Sequence, residues 1–172
     1  MNQKVRYLTH AAIIAALYVV LTELAAYLGL ASSAIQVRFS EALTILPFFT
    51  PAAIPGLFAG CLLANLLTGS MPLDILFGSI ATLLGALGTY YLSRLTKSSA
   101  KPWQKWLTPL PPIVANTLIV PFVLAYVYQL EGSIPYFMLT VGIGEIISCG
   151  VLGLLLQRAL ERYRRQLFPE GK

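Results

Sequence analysis

The chain has 172 residues, 57% of them hydrophobic and 11% charged, with mean hydropathy +0.74 and formal net charge +5. Soluble domains carry roughly 25% charged residues, so this composition excludes a water-soluble globule and indicates one domain in a bilayer. Cys61 and Cys149 fall inside apolar runs, where a thiol packs as a small hydrophobe, and nothing suggests a disulfide framework or a CxxC metal site.

The first apolar run, residues 8–30, is long enough to cross a hydrocarbon core of ~30 Å. It is too long for a cleavable signal and has no early A-x-A site. His10, near its start, is expected to be interfacial or packed. Ala11/Ala15 and Ala12/Ala16 are two small-xxx-small registers that let helices approach to backbone contact. They suit packing within a bundle or docking to another membrane protein, and the sequence leaves the register open. Glu23 lies in the outer half of this run.

The stretch VRFSEALTILPFFTP, residues 37–51, places Arg38 and Glu41 three residues apart in an apolar run with Pro47 and Pro51. Charges and helix breakers at membrane depth usually line a cavity or a site. A local Arg38–Glu41 ion pair is the plainer alternative, and Ser40 is placed to cap a helix starting at Glu41. Residues 42–68 are too long for one crossing and short for two, which suggests a hairpin turning near residues 50–55. Further spans are expected at 73–93, 107–130 and 134–157, separated by a basic loop, 94–106, with two tryptophans, and followed by a basic tail, 158–172.

Charge placement sets the expected topology. Every lysine and arginine except Arg38 lies in the N-terminus, the loop or the tail. With all three cytoplasmic, residues 37–50 and 52–68 must contribute two crossings or a re-entrant pair. The expected architecture is therefore all-α, with six transmembrane helices and both termini cytoplasmic. Asp74, Asn65, Glu41 and Glu23 then fall in the outer half, with Glu145 and Asn116 nearer midplane. These residues and Arg38 are the candidate ligand contacts. Glu145 stands out because a carboxylate at midplane costs several kcal/mol to insert. Most outer aromatics are expected in the belt or core.

GxxxxGK[ST], HExxH and GxSxG are all absent, as is any metal-ligand cluster. A cofactor, a metal and a nucleic-acid partner are not expected, and the chain is not expected to be an enzyme.

VRFSEALTILPFFTPAAIPGLFAGCLLANLL, with LDILFGSIATLLGALGTYYL, LPPIVANTLIVPF and GIGEIIS, resembles the QueT-type queuosine-precursor transporters over residues 5–160. Those are S-components of energy-coupling factor (ECF) transporters. The resemblance implies a six-helix bundle in a bacterial plasma membrane that captures a 7-deazaguanine base, such as queuine or an earlier precursor. It also implies a transmembrane coupling subunit and two cytoplasmic ATPases as partners, with the alanine motif at 11–16 as the coupling contact. A guanine-like base presents a ring N–H beside an amine, and one carboxylate, Glu145 or Glu41, can accept both. Asn65 or Asn116 suits the remaining edge, and Asp74 suits a cationic aminomethyl group.

Overall fold

A computed structural model describes residues 2–30, 35–97 and 102–168. Lys101 and Lys172 of the basic segments, and residues 31–34 of the link after the first span, lie outside the described residues. The described residues are helical, with no strand.

Helix α1, Gln3–Tyr27, starts where the Asn2 side chain accepts the Lys4 amide, an N-cap that satisfies one otherwise free donor. A ten-residue 3₁₀ helix follows, Phe39–Phe48. Next come α2 (Ala53–Leu67), α3 (Pro72–Lys97), a short 3₁₀ turn (Pro102–Leu107) and α4 (Leu110–Tyr126). The last crossing is α5 (Ile134–Glu145), a π-helical segment (Ile146–Leu152) and α6 (Gly153–Leu167), running without a break. Gln3–Tyr27, Pro72–Leu95, Lys105–Tyr126 and Ile134–Arg164 are long and apolar enough to cross a membrane; Phe39–Phe48 and Ala53–Leu67 are apolar but shorter.

The expected hairpin is present, with its turn at residues 49–52 rather than 50–55. Its first arm differs from a full transmembrane helix. Ten 3₁₀ residues rise only ~20 Å. Local chemistry explains the tight winding. Pro47 has no amide to donate and disfavours α geometry in the residue before it. The Glu41 carbonyl is taken by the Thr44 hydroxyl at 2.6 Å and the Cys149 thiol at 3.4 Å. Every residue from Ser40 to Phe48 is buried, packed between α1, α3, α6 and the π segment. Ser40 does not cap this helix. Arg38 occupies the cap position without a side-chain bond, and the Ser40 hydroxyl meets Thr22 at 2.8 Å.

Helix α1 packs on α2 through small residues. A methyl group on Gly56 would lie 2.7 Å from the Ala11 carbonyl oxygen, and one on Gly60 would lie 3.0 Å from Ala15 Cα. Ala11 and Ala15 therefore face inward, while Ala12 and Ala16 stay exposed. The two ends of the described chain meet at one end of the bundle. His10 contacts Phe168 edge-on at 6.1 Å, and Phe168 stacks on Phe49 at 5.4 Å. The basic loop reaches the same end of the bundle, where Lys105 pairs with Glu161 on α6 at 2.9 Å. Trp103 and Trp106 are exposed there. The opposite end carries the turns at 68–71 and 127–133.

Candidate functional site

A funnel opens at that opposite end. Its mouth encloses about 400 Å³, between Thr22, Asn65, Asp74, Tyr128 and Arg38. This lies within the roughly 300–1,000 Å³ typical of small-molecule sites. Gln36, Arg38, Asp74 and Val120 also line a deeper chamber of about 30 Å³, whose remaining walls include Glu41, Cys61, Asn116 and Glu145. That chamber has room for about one or two waters.

Each wall has a structural cause. Ala11, Ala15, Tyr18 and Thr22 follow helical spacing on α1, so the stripe that packs on α2 near its start points Thr22 into the mouth near its end. The 3₁₀ helix presents Glu41. Asn65 and Asp74 flank the α2–α3 turn, and Gly78 lies beneath them, where a methyl group would sit 3.2 Å from the Asn65 amide nitrogen. Helix α4 supplies Asn116. On the last crossing, the π segment widens the turn so that Glu145, Ser148 and Cys149 are all buried; π turns recur at functional sites. The backbone entering the 3₁₀ helix lies against this crossing: the Gln36 carbonyl abuts Gly144, and the Arg38 amide donates to Ser148 Oγ at 3.2 Å.

The two deep carboxylates differ in their partners. Glu41 is 2% exposed; Tyr18 donates to its Oε1, and Asn116 Nδ2 lies 3.5 Å from its Oε2. Glu145 Oε2 accepts from the Cys149 thiol at 3.0 Å, and Asn116, which also faces Glu41, lies beside the same carboxylate. At the mouth, Asp74 Oδ2 accepts from the Tyr128 hydroxyl at 2.7 Å. Partial burial and that bond raise the Tyr128 phenol above its usual range. Asn65 Nδ2 points toward Cys61 Sγ at 3.6 Å, and Thr82 donates to the same sulfur at 3.3 Å. The expected local ion pair is not formed: Glu41 turns to Tyr18 and Asn116 instead of Arg38.

Six of the seven candidate contacts therefore share one cavity: Arg38, Glu41, Asn65, Asp74, Asn116 and Glu145. Glu23 does not join them. It is exposed on α1, and Thr22 takes the inward place. Among the outer aromatics, Tyr128 lines the mouth, whereas Tyr27, Phe77, Tyr126 and Tyr136 are exposed. Sequence reasoning missed Tyr18, Thr22, Thr82, Ser148 and Cys149. The 11/15/18/22 spacing was a usable signal for the first two; the π turn that gathers the last pair has no signature in residue order.

Glu41, Glu145 and Cys149 offer ligand atoms within 4.8 Å of one another. The thiol's one proton is shared between Glu145 Oε2 at 3.0 Å and the Glu41 carbonyl at 3.4 Å, so the group is a hydrogen-bonded cluster and no metal is assigned to it. Chemically, the funnel ends in a carboxylate pair with an amide shared between them. Such a floor suits a polar ligand with adjacent N–H donors or a positive charge, because carboxylate bonds to such donors are strong away from water.

No match was found among curated proteins or among solved structures. A family model described as "QueT transporter" matches residues 8–162. That match covers nearly all of the multi-pass helical bundle and every wall of the funnel, and the chain belongs to the QueT transporter family.

Proposed function

We propose that this membrane transport protein is the substrate-binding S-component of an ECF importer that captures a 7-deazaguanine precursor of queuosine. The observation that carries this reading is the funnel floor, where Glu145 and Glu41 lie beside Asn116 below a mouth of about 400 Å³. In this reading the ring N–H and exocyclic amine bond to a carboxylate, and an amide reads the remaining edge. Asp74 at the mouth favours a cationic substituent. The funnel faces outward, and the termini and basic loop face the cytoplasm of a bacterial cell, as the positive-inside rule requires. The exposed Ala12/Ala16 register on α1 is the contact for a transmembrane coupling subunit, and two partner ATPases supply the energy. The chain itself is not an enzyme.

The test is calorimetric titration of the purified protein with queuine and simpler 7-deazaguanines. The wild type is expected to bind, and Glu145→Gln to weaken binding by about tenfold to a hundredfold, the size of a lost charge-assisted bond. Binding of a vitamin or other heterocycle, with no affinity for deazaguanines, overturns the substrate assignment. Failure to co-purify with any ATPase-containing module overturns the S-component role.

A further inference from the structure

Two acidic side chains line the floor of the funnel, and the protein treats them unequally. We propose that Tyr18 is a positioning residue: it holds Glu41 to the scaffold, leaving Glu145 as the carboxylate of the pair that is open to ligand. This inference rests on the reading of the funnel as a base-binding site and assigns separate roles within it.

Tyr18 is 1% exposed, and its hydroxyl is aimed at Glu41 Oε1. A buried phenol hydroxyl needs an acceptor, and this one has the carboxylate. Asn116 covers Glu41 Oε2, so both oxygens of Glu41 have protein partners. Further bonds tie the Glu41 backbone: its carbonyl accepts from Thr44 at 2.6 Å and from Cys149 at 3.4 Å. Glu145 has the Cys149 thiol, a weak donor, on one oxygen and shares the Asn116 amide with Glu41. Glu145 is the less engaged carboxylate, because it has no counterpart of the Tyr18 hydroxyl. Two carboxylates with oxygens this close repel unless donors or a cation intervene; Asn116 lies between both, and Tyr18 donates to Glu41 alone.

With Glu41 engaged, the floor offers Glu145 as its accessible carboxylate and recognises a neutral N–H edge as well as a cation. Without the Tyr18 hydroxyl, Glu41 Oε1 becomes a second open anionic acceptor. The floor should then favour cationic ligands.

The experiment compares a neutral base, 7-deazaguanine, with its 7-aminomethyl derivative, which carries a positive charge, on the wild type and on Tyr18→Phe. The readout is the ratio of the two dissociation constants, alongside thermal unfolding to verify the fold. Tyr18→Phe is expected to shift the ratio toward the cationic ligand by about tenfold. Adding Glu41→Gln to Tyr18→Phe is expected to return the ratio to the wild-type value. A merely structural role would weaken both ligands alike. An unchanged ratio in a folded, binding-competent Tyr18→Phe variant overturns this inference and leaves the proposed function standing. A wild type that binds neither base overturns the proposed function and this inference with it.

Discussion

Helix α1 and the Phe39–Phe48 helix are consecutive elements of one apolar chain, yet they are buried in opposite ways. The hydrophobic window of α1 is 28% buried within the bundle, whereas Ser40–Phe48 is buried throughout. A hydrocarbon surround removes the usual reason to hide apolar side chains, because lipid tails are as apolar as leucine. What must be enclosed is the polar group without a partner. Helix α1 satisfies its backbone internally and needs to hide only one stripe, Ala11, Ala15, Tyr18 and Thr22. The 3₁₀ helix carries Ser40, Glu41 and Thr44 and is too short to cross alone, so it threads the interior, where other helices supply donors.

The contrast is broken most severely where the two helices share a neighbour. On α2, a methyl group on Gly60 would already lie 2.7 Å from Tyr18 Cβ. Gly60→Leu forces α1 away from α2 and displaces the Tyr18 that holds Glu41. The expected loss is about 3 kcal/mol, at the upper end for overpacking, read as a lower unfolding temperature in detergent together with loss of ligand binding.

Thr44→Val acts within the 3₁₀ helix and on its 3.4 Å contact with the Cys149 thiol. It keeps the side-chain volume but removes the donor to the Glu41 carbonyl. The expected cost is about 1 kcal/mol, typical of one buried hydrogen bond, with a several-fold weaker ligand affinity because Glu41 is less well held. A wild-type unfolding temperature would show that this bond does not maintain the tight winding.

The smallest effects belong to the outward face of α1. Ala12→Leu and Glu23→Gln touch exposed positions, and each is expected to change stability by less than about 0.5 kcal/mol and to leave ligand binding unchanged. If Ala12→Leu abolishes co-purification with a coupling module while binding survives, the two faces of α1 separate cleanly into packing and docking. Loss of binding in Glu23→Gln would contradict its placement outside the funnel.

Residue order alone identified much of this molecule. Composition placed it in a bilayer, because too few polar groups exist to face water. Proline and charge placement required a hairpin in residues 42–68. Polar residues stranded in apolar runs pointed to Glu41, Asn65, Asp74, Asn116 and Glu145, since such residues are costly unless they share a cavity. Tertiary structure decided what is relational. It turned Ala11 and Ala15 inward against Gly56 and Gly60, and with them sent Glu23 outward and Thr22 into the mouth. It wound residues 39–48 as a 3₁₀ helix, because the Glu41 carbonyl finds partners in Thr44 and in Cys149, more than a hundred residues away. It also widened one turn after Glu145 into a π segment, which brings Ser148 and Cys149 to the same floor. Local sequence encodes which groups need partners in a membrane; only the packed bundle determines which partner each one meets, because those distances depend on how the helices approach one another.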